Sequence, residues 1–185
     1  MDAIDALHSR VSVARLEAPA PDAEQLDIML RAALRAPDHG LVRPWRFLVL
    51  EGDDLNRLGD LLVQARQAEQ PDSAPETLER LRCKPLRAPM VLVAVAETDP
   101  NHRVPVLEQI ISTGAAVQNL LVAAHALGVG AMWRTGGLAR HPLVKRGLGF
   151  AEKDEIVAFV YLGTPVGRLK TVPDEQPAAF IRKLT

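Results

Sequence analysis

The sequence has little cysteine, few aromatic residues and almost no net charge. One cysteine, Cys83, excludes an internal disulfide and a zinc site built from cysteines, so we expect a reducing, cytoplasmic setting. Lys and Arg number 22 against 23 Asp and Glu, which argues against nucleic acid or an anionic membrane as the main partner. The acidic N-terminus has no basic segment followed by a hydrophobic run, so no signal peptide is predicted.

The common catalytic signatures are also missing. There is no Walker loop, no His-Glu-x-x-His and no Gly-x-Ser-x-Gly nucleophile elbow. The glycines at positions 128, 130, 136 and 137 do not match the dinucleotide-binding pattern Gly-x-Gly-x-x-Gly. The five histidines lack the spacing of metal ligands, so we predict no metal site.

What is present is a hydrophobic share of 48% in 185 residues, enough for a sizeable core. Aromatic residues make up only 4%, so the core must be built from Ala, Leu and Val. The length suits one domain, and no linker or repeat divides the chain. We therefore expect a single domain over residues 1–185.

Hydrophobic spacing predicts alternating helices and strands. A short helix over residues 2–9 should turn Ile4 and Leu7 inward, and Asp22 should begin a second helix with Gln25 as its capping-box partner. Further helices are predicted over 53–68, 105–127 and 141–148, and buried strands over 46–50, 90–96, 129–134 and 156–162.

The long helix over 105–127 has unusual composition. From Gln109 to Trp133 the chain carries no formally charged residue, although its Gln, Asn, Ser and Thr side chains make it too polar for a membrane span. We interpret it as a helix buried between the sheet and a second subunit. The alternative is a central helix of a monomer.

Cationic and hydroxyl side chains gather where predicted elements end. Arg10 and Ser12 follow the first helix, Arg35 and His39 lie around the end of the second, and residues 133–135 leave a strand. Guanidinium and hydroxyl groups can bind a phosphate, and amides near glycines can bind ring heteroatoms. The set is compatible with a phosphorylated planar ligand, and equally with solvated surface arginines.

Several segments resemble the FMN-dependent nitroreductase family, in particular its short members of the YdjA type. These segments, in chain order, are Arg10-Val-Ser12, Arg31-Ala-Ala-Leu-Arg-Ala-Pro-Asp-His39, Pro44-Trp-Arg-Phe47, Leu127-Gly-Val-Gly130, Trp133-Arg-Thr-Gly136 and Tyr161-Leu-Gly-Thr-Pro165. The resemblance implies an α+β sandwich with a mostly antiparallel central sheet flanked by helices. It also implies an intertwined homodimer with two FMN sites at its interface.

The resemblance also assigns FMN-binding residues. Arg10, Val11 and Ser12 match the segment for the phosphate and ribityl chain, where many relatives carry Arg-Arg-Ser, so Val11 removes one cation. Arg35 and His39 match positions that reach the flavin from the partner protomer. Trp133, Arg134 and Thr135 match the strand end beside the flavin ring, where a backbone N–H points at N5.

One further match concerns the nicotinamide nucleotide. It comprises Ala123, Ala124, His125, Ala126, Leu127 and Gly128. Each assignment has an alternative: structural ion pairs for Arg10 and Arg35, a turn residue for His39, packing for Trp133, and plain helix core for residues 123–128.

The function implied is an FMN-dependent oxidoreductase. NAD(P)H would reduce the flavin and leave, and a nitroaromatic, quinone or similar electron-poor acceptor would take the electrons in a ping-pong cycle. The chemistry belongs to the flavin, so no catalytic side chain is assigned. A flavoprotein of the same fold with different chemistry and a non-catalytic dimeric binding protein remain as alternatives.

Overall fold

A five-stranded antiparallel sheet forms the centre of the computed structural model, which describes residues 1–184. Its strands are β1 (Leu16–Glu17), β2 (Trp45–Glu51), β3 (Met90–Ala96), β4 (Gly130–Arg134) and β5 (Glu155–Pro165). The long strand β5 pairs with β3 along one edge and with β4 and then β1 along the other, and β2 pairs with the far side of β3. The predicted α+β arrangement is confirmed.

Helices cover both faces of the sheet. They are α1 (Ala3–Ser9), α2 (Ala23–Ala33), α3 (Asp53–Glu69), α4 (Pro75–Arg82), α5 (Val106–Ala126) and α6 (Pro142–Gly147). Every residue of β3 is buried because its side chains point alternately to two cores. Val91, Val93 and Val95 pack with α3 and α6, whereas Met90 and Leu92 pack with α2 and α5.

The local signals of α2 work as the sequence predicts. Asp22 Oδ1 accepts a hydrogen bond from the Gln25 amide at 2.8 Å, and Gln25 Oε1 accepts one from the Asp22 amide at 3.1 Å, which forms the capping box. The helix ends at Ala33, before Pro37. Gly128 has φ of 75° and ends the turn after α5, in the left-handed region that favours glycine.

The expectation that α1 turns Ile4 and Leu7 inward is wrong. These side chains are 59% and 52% exposed, and Ala6 is the buried residue of the helix. The helix lies at the edge of the fold against α5, so a single chain offers its apolar face nothing to pack on. The strand β1 is too short for hydrophobic alternation to reveal it, and the sequence did not predict it.

Helix α5 packs against the sheet and α2. By length and composition it is the one helix within residues 1–184 that could cross a membrane. Its polar residues have partners inside the fold: the fully buried Gln109 donates to the carbonyls of Asp99 and Val104, and Thr113 donates to the Gln109 carbonyl. These contacts are those of a core helix.

Candidate functional site

The end of strand β4 forms a wall between two cavities. Strand pairing stops at Arg134, and Gly136 has φ of 136°, which favours glycine because a Cβ is strained there. Within residues 1–184, the amides of Thr135 and Gly136 donate to no backbone carbonyl and no side chain. This wall therefore presents free N–H donors to whatever lies beside it.

The larger and more open cavity is about 710 Å³ and lies on the α5 side of this wall. Trp133, Ile110, Arg140, Lys153 and Val157 are among its lining residues. The Trp133 indole N–H donates to the Val157 carbonyl at 3.2 Å, and the ring packs with the α5 core. The side chain of Trp133 thus serves packing at the floor of this cavity.

The other cavity, on the α3 and α4 side, is about 360 Å³ and is lined by four cations. We call it the basic cavity; its cations are Arg66, Lys84, Arg87 and Arg134. Burial lowers the pKa of the Lys84 ammonium, and the three arginines lower it further. Burial raises the pKa of Tyr161, whose ring lies 5.6 Å from the Arg134 guanidinium carbon.

The segment Arg10-Val11-Ser12 lies at the opposite end of β4. The Val13 amide donates to the Ala131 carbonyl at 2.9 Å, which ties this segment to the start of the strand. Arg10 and Val11 line a cavity of about 100 Å³, and Ser12 lines a neighbouring one of about 190 Å³. Arg10 is half-buried and, among residues 1–184, forms no ion pair, so the structural ion-pair alternative finds no support.

Arg35 and His39 are exposed near the end of α2. Arg35 has no carboxylate partner in the part of the chain that the structure describes. His39 is held by a side chain and not by the backbone of its turn: its Nδ1 lies 2.5 Å from Glu108 Oε2. Glu108 is in the first turn of α5, and His125, which lies beside Arg10, is in the last.

Because His39 is paired with Glu108, it lies far from Arg10 of the same chain. At a rise of about 1.5 Å per residue, Glu108 and His125 are about 26 Å apart along α5. The structure therefore brings Arg10, Val11 and Ser12 together at one end of β4 and Trp133, Arg134 and Thr135 at the other. It does not bring His39 of the same chain to Arg10.

Residues 123–128, predicted for the nicotinamide nucleotide, form the end of α5 and the turn after it. Ala124 is fully buried in the core, and His125 Nε2 lies 2.9 Å from the Ser9 hydroxyl of α1. The segment lies beside Arg10 and away from Thr135. Its role in binding NAD(P)H stays a prediction.

Sequence reasoning missed Arg66, Lys84, Arg87 and Tyr161. A signal for Tyr161 was available, because the only tyrosine interrupts an otherwise apolar strand. Lys84 and Arg87 also lie within six residues before the start of the buried strand β3 at Met90. The cavity itself could not be seen from the sequence, since its lining comes from α3, α4, β4 and β5.

Residues 7–164 match the model of the Nitroreductase family. The chain is 43% identical to "Putative NAD(P)H nitroreductase YdjA" of Escherichia coli (strain K12) over 180 residues, which covers 96% of this chain and 97% of that relative.

Solved structures share the fold. A nitroreductase-like family protein from Bacillus cereus superposes with a TM-score of 0.83 at 22% identity, covering 100% of this chain and 96% of that one. A nitroreductase with bound FMN from Bacteroides fragilis NCTC 9343 superposes with a TM-score of 0.75 at 20% identity, and the superposition covers 100% of each chain.

Proposed function

We propose a function from one premise: this chain belongs to the nitroreductase family. It is an FMN-dependent oxidoreductase that passes electrons from NAD(P)H to nitroaromatic, quinone or similar electron-poor acceptors, and it works as a single domain over residues 1–185 in the cytoplasm. The observation that carries the proposal is the set of groups along β4. Arg10 and Ser12 supply a cation and a hydroxyl at one end, and at the other end the amides of Thr135 and Gly136 donate to no backbone carbonyl of residues 1–184.

These residues fit the two chemical ends of FMN. A phosphate needs cations and hydroxyl donors, which Arg10 and Ser12 offer. The heteroatoms of a flavin ring need N–H donors, which the amides of Thr135 and Gly136 offer. From Ala131, beside Arg10, to Thr135 the chain advances about 13 Å, so both ends of one extended ligand can be reached along a single strand.

FMN, when bound, would supply the two-electron redox chemistry between NAD(P)H and the acceptor. The protein's contribution is binding and electrostatics. Arg10 balances the phosphate charge, the amides of Thr135 and Gly136 orient the ring, and the positive potential of Arg134 favours negative charge nearby. No side chain is required as a nucleophile.

We further propose a homodimer built on the outer face of α5. Leu107 and Ile111 are 66% and 60% exposed, although they belong to the most apolar helix of the chain. If two antiparallel copies of α5 cross between Gly114 and Ala115, Leu107 of one copy lies level with Val122 of the other. Ile111 lies level with Gln118 in the same way. An antiparallel copy of α5 crossing at that point would cover this face, and the small residues permit close approach there.

This arrangement also completes the cofactor site. A two-fold axis between Gly114 and Ala115 brings Glu108 of the partner subunit level with Leu121 along α5, and Leu121, which itself packs in the core, lines the same cavity as Arg10. Because His39 is paired with Glu108, the partner's His39 arrives there with it. The 26 Å separation within one chain is thereby bridged by the second, and Arg35 is available from the partner in the same way.

An absorption spectrum of the protein purified from cells tests the cofactor and the reaction. We expect the yellow absorption of bound flavin, its bleaching on anaerobic addition of NADPH, and its return when a nitroaromatic is added. A flavin that bleaches but does not pass electrons to nitroaromatics or quinones would indicate different chemistry on the same fold. A colourless protein that does not bind added FMN would contradict the proposal.

Mixed dimers test the two-chain site. We expect Arg10→Ala and Arg35→Ala homodimers each to lose most of their FMN. A heterodimer with one copy of each variant has one intact site and one site with both defects, so FMN should return to about half of the wild-type content. Arg31→Ala serves as the matched control, because Arg31 is a surface residue that pairs with Asp27. This variant should keep its full FMN content. No recovery in the heterodimer would contradict a site shared between subunits.

A further inference from the structure

The basic cavity concentrates positive charge with little compensation. Among the residues that the structure describes, no acidic residue lines it, and none of Lys84, Arg87 and Arg134 forms an ion pair. Arg66 lies 3.8 Å from the Glu69 carboxylate and donates to Gln70 at 3.1 Å, but its Nε is buried and has no partner. Three of the four cations around this cavity of about 360 Å³ thus have no carboxylate partner within residues 1–184.

Such an arrangement is costly for the folded chain alone. The lowered pKa of Lys84 reflects burial and repulsion from the three arginines, and the unpartnered Nε of Arg66 forfeits a hydrogen bond. Several cations outside the cavity do have a carboxylate partner: Arg82 pairs with Asp60, Arg146 with Glu152, and Lys145 with Glu155. A bound anion would remove the repulsion and satisfy the donors.

The phosphate of FMN is not that anion under the proposed binding mode. Arg10 and Ser12 lie at the opposite end of β4, about 13 Å from Thr135 along the strand. The basic cavity instead adjoins Thr135 and Gly136, the wall assigned to the flavin ring. Its ligand would therefore lie next to the same two residues that would orient the flavin ring.

The uncharged lining residues of the basic cavity indicate what the rest of the ligand is like. Leu62, Leu81 and Phe159 give the cavity apolar walls, and Tyr161 adds an aromatic surface. The volume is sufficient for one small ring and at the low end of the range for ligand pockets. Apolar walls with a cluster of guanidinium groups suit a planar aromatic acid.

We propose that the basic cavity selects electron acceptors that carry an anionic group, such as aromatic carboxylates or sulfonates with a reducible nitro group. The inference deepens the proposed function and rests on it. The first reduction step is balanced by the co-substrate: a nitro compound, NAD(P)H and one proton give the nitroso compound, NAD(P)⁺ and water. The anionic group is not consumed and serves only to hold the acceptor.

A matched pair of acceptors tests the proposal with the FMN-loaded protein. The pair is 4-nitrobenzoate and 4-nitrobenzamide, which have similar size and differ in charge. We expect kcat/KM to favour the benzoate by about 10-fold or more, since only its carboxylate can accept charge-assisted hydrogen bonds from the cations of the cavity. Equal values for the two acceptors would overturn the proposal.

Variants locate the preference in the cavity. Arg87→Gln and Arg66→Gln should each reduce the benzoate-to-benzamide ratio of kcat/KM about 10-fold, mainly through the KM for the benzoate. Lys84→Gln, at an exposed residue, repeats the test should Arg66→Gln fail to fold. Arg82→Gln is the matched control, because Arg82 is close in sequence but pairs with Asp60 outside the cavity.

Binding without turnover gives an independent measurement. Benzoate and benzamide are titrated calorimetrically into the oxidised, FMN-loaded protein in the absence of NAD(P)H. We expect benzoate to bind at least 10-fold more tightly, and this preference to fall in Arg87→Gln. If the variants instead lose FMN while the acceptor ratio is unchanged, the cations serve the cofactor alone and the proposal is wrong.

The two proposals fail in different ways. A protein that holds FMN and oxidises NAD(P)H, yet treats both acceptors alike, would contradict only the anion preference. A protein without FMN, or one that passes no electrons to either acceptor, would contradict the proposed function and the acceptor class together.

Discussion

Replacing Leu107 by aspartate should separate the two subunits. Leu107 and Ile111 project from α5 at 66% and 60% exposure, and the proposed two-fold contact buries them in both chains. Full burial of such a side chain contributes about 1.5–3 kcal/mol, so each exposed portion contributes about 1–2 kcal/mol. The four side chains together contribute about 4–8 kcal/mol to association.

Leu107→Asp removes two of these four contributions, or about 2–4 kcal/mol. The dimer dissociation constant should therefore rise by at least about 30- to 700-fold, because the new carboxylate must also lose water against the partner's Val122. The helix itself should remain folded, since position 107 is solvent-exposed in the single chain.

Sedimentation velocity over a dilution series measures the effect, with FMN content determined on the same samples. We expect monomers to appear at concentrations where the wild type is dimeric, and FMN to be lost in parallel. Leu86→Asp, which changes a leucine that is 49% exposed outside α5, is the matched control and should stay dimeric. A Leu107→Asp protein that is monomeric but fully loaded with FMN would refute the two-chain site.

Three further predictions concern stability. Gly59→Ala places a Cβ against the backbone carbonyl of Arg82 and should lower the free energy of unfolding by about 1–3 kcal/mol in denaturant titrations, whereas Gly137→Ala, with open space around it, should not. Gln109→Leu leaves backbone groups of the 99–104 loop without partners, so it should cost about 2–4 kcal/mol and lower Tm by roughly 5–15 °C in calorimetry. Lys84→Gln should raise Tm of the FMN-free protein at pH 7, because the lowered pKa means that the folded state disfavours the Lys84 ammonium. This gain in Tm should disappear as pH rises past 10.5, the ordinary pKa of lysine, because wild-type Lys84 is then neutral in both the folded and the unfolded state. A gain that is independent of pH would contradict this last reasoning.

The sequence anticipated most of the helices and every strand except β1, because their signals are local. The capping box of Asp22 and Gln25, the unbroken apolar run of β3 and the glycine after α5 each act within a few residues, so they can be recognised without knowing the fold. The family resemblance rested on equally local motifs. The inward orientation of Ile4 and Leu7 failed because helical periodicity identifies an apolar face without identifying what covers it.

By itself, the sequence determined most of the helical and extended segments, the stretch without formal charge from Gln109 to Trp133, and the motifs around Arg10, His39 and Arg134. Only the tertiary structure decided which of these lie together. It put Arg10 and Arg134 at opposite ends of one strand, fixed His39 to Glu108 at the far end of α5, and gathered the basic cavity from residues 66 to 161. The physical reason is that cavity lining and charge clustering depend on long-range packing, which side chains distant in the chain create jointly and no local pattern records.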